Sequence, residues 1–298
     1  MKFQGIMSPI ITPFKEDGRI DLANFEKHLD HLAAAGIHGV LVFGSLGEFF
    51  SVPVEDKKEA IQLAVKTSNH RTKIIVGVGS TKLEETLELA QFSEKAGADV
   101  INVVAPYYFP PTEKGVMEHF GRVAEAVDMP IQLYNIPICV GGDLTPEYIA
   151  ALAARYEHII GVKDTVDNIS HTRRIIDAAR KVRPEFSVVS GFDEYYIPNR
   201  IAGGDGVLSG LTNVVPELFV KMHNAYEGRD FDIAISCAEK ISKLMCLYTV
   251  SDSFSLSVKA AVRVQGLPIE TWTRTPRLQT LPEEDAKIRK VLEEVLQS

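Results

Sequence analysis

The chain has 298 residues, 45% hydrophobic and 24% charged, with enough apolar mass for a substantial core. Its 32 basic and 40 acidic side chains give a formal charge of −8 with no basic tract, which argues against a nucleic-acid partner. No apolar run approaches the ~18 residues that span a bilayer, so no membrane partner is expected. The N-terminal MKFQGIMSPIITPF, cut by Pro9 and Pro13, lacks the form of a secretory signal. Cys139, Cys237 and Cys246, an odd count without C-x-x-C spacing, fit a reduced cytoplasmic compartment.

Short β-branched runs alternate with longer amphipathic ones. The strand candidates, in chain order, are Met7–Thr12, Gly39–Phe43, Lys73–Val78, Val100–Val104, Pro130–Tyr134, Ile159–Lys163, Ser187–Ser190 and Gly206–Ser209. Between them, Leu22–Ala35, Lys82–Ala96, Glu113–Val127 and Ile169–Val182 carry apolar residues three to four apart, the helical period. Pro53 and Pro146 stand where a first helical turn tolerates proline, and Thr145 is a candidate N-cap. AAGIHGVLV at 34, KAGADVINV at 95 and IAGGDGVLS at 201 repeat one junction: helix end, left-handed glycine cap, strand.

Eight strand–helix units in about 230 residues match a (β/α)8 TIM barrel. No G-x-G-x-x-G follows the first strand, which disfavours a doubly wound open sheet. After Pro216–Glu227 the alternation stops, and Phe231–Val250, Phe254–Gln265 and Glu283–Leu296 read as helices. The expected organisation is a catalytic barrel over 1–228 and a C-terminal three-helix extension over 229–298 packed on it.

Barrel enzymes place their chemistry at the C-terminal ends of the strands. Strand two runs into GSLGE, Gly44, Ser45, Leu46, Gly47 and Glu48; strand four into APYYFPP with Tyr107 and Tyr108; strand five ends at Tyr134. Strand six ends at Lys163, followed by Asp164 and Thr165; strand seven runs into SGFDE, with Gly191, Asp193 and Glu194; strand eight ends at Leu208 and Ser209. The opposite rim carries His38, His158 and Asp205.

Lys163 is an amine set into the apolar run IIGVKDT. Pointing into a barrel mouth, it would be desolvated, its pKa would fall, and the neutral amine could attack a ketone to form an iminium. The iminium withdraws electrons from the adjacent carbon–carbon bond and permits aldol chemistry without a metal or cofactor. Position alone also allows a structural lysine paired with Asp164. Tyr134 could relay protons or be a core tyrosine. The GSLG segment could cradle a carboxylate with its N–H groups and the Ser45 hydroxyl, or be a plain glycine-rich turn. Asp193 and Glu194 could bind sugar hydroxyls or favour a helix dipole. The eight histidines fall mostly in helices or at strand starts, none evidently on the upper rim; HLDH at 28 reads as a solvated helix face.

With GSLGE, PYY, YNIP, GVKD and GGDGVLS in this order, the chain resembles the dihydrodipicolinate synthase / N-acetylneuraminate lyase family over essentially its whole length. The resemblance implies a TIM barrel whose Schiff-base lysine is Lys163 and whose proton relay is Tyr134. It implies a hydroxyl chain of Ser45 and the partner subunit's Tyr108, and a homotetramer built as a dimer of dimers. Ser45 and Leu46 would hold the carboxylate of a 2-keto acid; Gly44, Gly47, Thr165, Gly191, Asp193, Glu194, Leu208 and Ser209 complete the expected substrate-binding set.

Two departures bear on the substrate. The synthase branch has two threonines where this chain has Ser45 and Leu46, and an arginine where this chain has Cys139. A neutral Cys139 cannot make the bidentate charged contact of an arginine, which argues against the synthase. GFDE at 191 is similar to the lyase branch; VKDT and GEFF are similar to the 2-keto-3-deoxy sugar-acid aldolases. The expected reaction is cleavage of a 2-keto-3-deoxygluconate-like acid to pyruvate and an aldehyde. N-acetylneuraminate cleavage, dihydrodipicolinate synthesis and dehydration of a related keto acid share the iminium. A catalytically dead keto-acid sensor is the non-enzyme alternative, and its expected sign, loss of Lys163 or Tyr134, is absent.

Overall fold

A computed structural model describes residues 3–109 and 112–297. Strands and helices alternate through the first part of the chain: β1 (Gly5–Pro9), α1 (Leu22–Ala34), β2 (Gly39–Val42), α2 (Val54–Ser68), β3 (Lys73–Gly77), α3 (Leu83–Ala96), β4 (Val100–Val104) and α4 (Glu113–Ala124). There follow β5 (Ile131–Asn135), α5 (Pro137–Val140), α6 (Pro146–Arg155), β6 (Ile159–Asp164), α7 (Ile169–Val182), β7 (Ser187–Ser190), α8 (Tyr196–Ile201) and β8 (Gly206–Leu208). Four helices close the chain: α9 (Pro216–Glu227), α10 (Phe231–Leu244), α11 (Phe254–Val264) and α12 (Pro282–Gln297). The strands form a closed barrel in sequence order, β1 to β8; β1 with β2, and β3 through β8 in series, pair in parallel. The (β/α)8 fold expected from the alternation is the fold observed.

The strands are apolar on both faces because both are covered, as parallel sheets require. Leu41, Ile75, Val103, Leu133, Val162, Val188 and Val207 are completely buried. Gly36, Gly97 and Gly203, the glycines of the repeated junction, have φ of 88°, 84° and 92°. Each ends a helix in the left-handed region before the next strand begins. The Thr145 hydroxyl accepts from the Tyr148 N–H, so α6 is capped as its sequence proposed.

Three readings shift. β1 lies two to three residues earlier than its apolar run suggests, because side-chain bonds replace the ladder beyond Pro9: Asn213 Nδ2 donates to Pro9 O at 3.0 Å, and its Oδ1 accepts from Ile11 N at 3.2 Å. α10 stops at Leu244 and passes into a 3-10 turn over Met245–Thr249. His28 is not on a solvated face. It is 1% exposed on the core side of α1 with Phe25, Leu29 and Leu32. Its Nε2 lies 2.9 Å from Asn213 Oδ1, and burial pushes its pKa down to about 4.

By contact density the chain divides into two compact units: Met1–Gly5 with Lys73–Leu208, and Ile6–Thr72 with Ser209–Ser298. In the first, β3 to β8 pair in series. Gly206 has φ +147°, and a Cβ there would sit 2.0 Å from the Gly5 carbonyl oxygen. Gly206→Ala is therefore expected to destabilise by about 3 kcal/mol or more through clash and strain, read as a lower denaturant midpoint. In the second unit, α9 and α10 pack together, α11 packs on α12, and β1 pairs with β2.

Candidate active site

Strand alternation sorts the ends of β5 and β6 into two rows. Tyr134 is in register with Lys163, and Asn135 with Asp164. Neighbours in register share a face and successive residues take opposite faces, so the amine and phenol form one row and the amide and carboxylate the other. In the first row, Lys163 is 5% exposed and Tyr134 4%. Lys163 Nζ lies 4.4 Å from the centroid of the Tyr134 ring, a cation–π distance. Among the described residues Lys163 makes no ion pair; Asp164, its sequence neighbour, bonds elsewhere. A buried amine without a counter-ion is a costly arrangement that packing alone does not require.

The second row is a closed polar network. Asp164 accepts from Asn135 Nδ2 at 3.0 Å and from Thr172 Oγ1 at 2.7 Å. His171, in the first turn of α7, lies between two carboxylates, with Nδ1 3.1 Å from Asp164 and Nε2 3.0 Å from Asp143. Asn135 Nδ2 also reaches Asp143 at 2.8 Å, and its Oδ1 accepts from Leu144 N at 3.0 Å. The network ties the strand end that carries Lys163 to the segment after α5. Hydrogen bonds to Asp143 and then Asp164 raise the His171 pKa to about 9, against burial. Burial pushes the Asp143 carboxyl up, but bonds from His171 and Asn135 outweigh it and leave it below its ordinary value.

The imidazolium favours the folded state because its pKa exceeds the ordinary 6.5. That stabilisation is complete below pH 6.5 and is lost as pH rises through about 9. Thermal melting across this window is expected to show a falling limb that His171→Gln lacks. Equal pH slopes for the two proteins would refute the charged histidine.

Beyond β6, Thr165 N donates to Asn135 O at 2.8 Å, and the Thr165 hydroxyl is buried without a partner among the described residues. Gly191 follows β7, and a Cβ there would stand 2.0 Å from Thr165 Oγ1. Only glycine lets these two strand ends approach so closely. Asp193 is buried and Glu194 half-buried; Asp193 opens a 3-10 turn over Asp193–Tyr195 that leads into α8. Leu208 closes β8, fully buried; Ser209 is 1% exposed, and its hydroxyl has no protein partner among the described residues. Tyr108 stands apart, 84% exposed, at φ 85° and edge-on to Phe109 at 5.0 Å. The Cys139 residue is exposed, but partial desolvation of its thiol holds the pKa above its ordinary value, outweighing the opposite pull of the Lys163 charge.

The turn after β2 belongs to the second unit. Three of its carbonyls are occupied: Gly44 O accepts from Phe49 N at 3.4 Å, Ser45 O from Glu48 N at 3.1 Å, and Gly47 O from Thr12 Oγ1 at 2.8 Å. The N–H groups of Leu46 and Gly47 make no hydrogen bond among the described residues. Ser45 is half-buried; Gly44, Leu46 and Gly47 are buried. The Leu46 and Gly47 amides are the kind of donor pair that an anion at this turn would need.

On the opposite rim the polar residues brace strand starts. His38 Nδ1 accepts from Ile6 N at 3.2 Å, His158 Nε2 lies 2.8 Å from Ala124 O, and Asp205 takes Val188 N at 2.8 Å and Arg180 at 2.7 Å. Among the described residues no three His, Cys, Asp or Glu side chains are grouped to hold a metal ion, and no helix is long and apolar enough to cross a membrane. The sequence reading missed His171 and Asp143. His171 lies on a helix, where nothing local indicates a turn toward β6. The signal available was parity: Asp164 must face opposite to Lys163 and so needs partners of its own.

The profile of the Dihydrodipicolinate synthetase family matches residues 2–295. The probable 2-dehydro-3-deoxy-D-pentonate aldolase YjhH of Escherichia coli (strain K12) is 33% identical over 98% of this chain and 97% of its own. The 4-hydroxy-tetrahydrodipicolinate synthase of Methanocaldococcus jannaschii is 36% identical over 99% of this chain and 98% of its own. The crystal structure of YagE from E. coli K12, a complex with pyruvate, superposes with a TM-score of 0.96 at 31% identity, covering 99% of each chain. The family profile spans nearly every residue, and the barrel carries a buried lysine beside a tyrosine on adjoining strand ends: the chain belongs to the dihydrodipicolinate synthetase family of carbon–carbon lyases.

Proposed function

We propose that the protein is a Schiff-base aldolase that splits a 2-keto-3-deoxy sugar acid, 2-keto-3-deoxygluconate or a close relative, into pyruvate and an aldehyde. The observation that carries this reading is the Lys163 amine, buried without a counter-ion against the Tyr134 ring. The uncharged amine adds to the C2 carbonyl, water leaves, and an iminium forms. Tyr134, through the relay of Ser45 and the partner subunit's Tyr108, takes the proton of the C4 hydroxyl. The C3–C4 bond then breaks, its electron pair moves into the iminium as an enamine, and the aldehyde departs. Protonation at C3 and addition of water release pyruvate and restore the amine. No net oxidation occurs, and no cofactor or metal enters the proposed cycle.

The amides of Leu46 and Gly47, with Ser45 and Gly44, hold the keto acid's carboxylate in this reading. Thr165, Gly191, Asp193, Glu194, Leu208 and Ser209 shape the end that receives the polyhydroxylated tail. The neutral Cys139 disfavours a second substrate bearing its own carboxylate. Similarity to YjhH supports a sugar-acid substrate, and similarity to the pyruvate complex of YagE supports pyruvate as a product. The exposed Tyr108, Phe109 and Ile138, at 84%, 77% and 91%, support an assembly, which we take to be a cytoplasmic homotetramer serving carbohydrate breakdown.

The test is pyruvate release by the purified protein across a panel of keto acids. 2-Keto-3-deoxygluconate is expected to lead. Faster release from N-acetylneuraminate overturns the choice. The 36% identity to the M. jannaschii synthase favours a second reading, so condensation of pyruvate with aspartate semialdehyde belongs in the panel. A dominant rate there assigns synthase activity instead.

A further inference from the structure

The aldol cycle leaves one buried pair of opposite charges without a task. Lys259 of α11 and Glu48, which ends the GSLGE turn, form a salt bridge with side-chain exposures of 0% and 2%. Lys259 Nζ donates to Glu48 Oε1 and also to Trp272 O at 2.8 Å, and it lies 4.4 Å from the Phe14 ring centroid. Glu48 Oε2 accepts from Arg274 N at 2.9 Å. Each charge is saturated within the protein, so neither is offered to solvent or to a reacting group.

A buried ion pair is a poor device for stability alone, since well-packed apolar residues of similar volume often do as well or better. Its position suggests another purpose. Phe43 and Glu48, the residues that bracket Gly44–Gly47, both have left-handed backbones, with φ of 58° and 56°. Such conformations strain non-glycine residues and persist only where surrounding contacts fix them. Glu48 is fixed at both ends: its carboxylate by Lys259 and Arg274, and its carbonyl oxygen by Ser51 N and Ser51 Oγ, each at 3.0 Å. Its own N–H closes the turn on Ser45 O.

We propose that Glu48 and Lys259 are positioning residues that hold the Gly44–Gly47 turn in the shape whose amides receive the substrate carboxylate. They touch no substrate and act through the backbone. The inference rests on the reading of that turn given above, and the experiment separates the two.

The experiment measures borohydride trapping on Lys163 as a function of pyruvate or methyl pyruvate concentration, quantified by peptide mass mapping. Both ketones can form the iminium, but only pyruvate presents a carboxylate. The native protein is expected to half-saturate with pyruvate at a far lower concentration than with the ester. In Glu48→Gln that preference is expected to shrink about tenfold or more, the scale of one charge-assisted hydrogen bond, while labelling by the ester persists. Glu48→Gln together with Lys259→Met leaves no unpaired buried charge and carries the test if the single variant does not fold. Lys259→Arg, which keeps the ion pair, is expected to retain much of the preference. A native protein that traps both ketones alike sinks the carboxylate reading of the turn. A native preference that survives unchanged in Glu48→Gln or in the double variant overturns the positioning role and leaves that reading standing.

Discussion

Lys163→Ala is expected to lower kcat/KM for keto-acid cleavage by roughly 10^4-fold or more, because it removes the atom on which the covalent intermediate forms. The substitution leaves a small apolar residue where the amine lay against the Tyr134 ring. It removes no ion-pair partner, so no buried carboxylate is stranded. The fold should therefore survive, and circular dichroism with melting verifies this before kinetics are read. Borohydride with pyruvate is expected to place a carboxyethyl group on the native peptide that carries Lys163 and none on the variant. Full cleavage by Lys163→Ala, or an adduct on another lysine, removes the mechanism. Lys259 is the informative control: it is also buried, yet it is tied to Glu48 and Trp272 O and is not expected to label.

Tyr134→Phe carries the second large effect. The ring that packs on Lys163 is retained, and only the phenolic oxygen is lost. If the phenol moves the proton of the cleaved hydroxyl, kcat is expected to fall about 10^2- to 10^3-fold, the range of a positioned acid–base group. Trapping of pyruvate on Lys163 should persist at a reduced rate, since the amine and its packing remain. Loss of trapping together with loss of turnover would mean that the hydroxyl organises the lysine instead of relaying protons. Retention of kcat would assign Tyr134 to the core.

The two variants probe different links of one chain of causes. Register brings residues 134 and 163 side by side, and the buried amine makes no ion pair among the described residues. Parity sends Asp164 to the other face, where Asn135, Thr172 and His171 satisfy it. A one-residue slip in β6 would exchange Lys163 with Asp164 and destroy both arrangements. The outward network therefore fixes the register on which the amine depends.

Much of this was legible in the residues. Short β-branched apolar runs marked the strands and period-3.6 runs the helices, and the three glycine junctions marked where one gave way to the next, because these patterns are local consequences of backbone geometry. A lysine at the end of an apolar strand, and a glycine-rich turn after another, could be singled out for the same reason. What the chain by itself determined was thus the order of elements and the residues that stand at strand ends. The tertiary structure alone decided partnership. His28 turned inward to meet Asn213, His171 reached from the first turn of α7 to two aspartates, and Lys259 met a glutamate 211 residues away. Such pairings follow from which surfaces barrel closure and helix packing bring together, and the energy of a buried charge depends on every group around it. No local pattern encodes that sum, so it is settled only when the chain has folded.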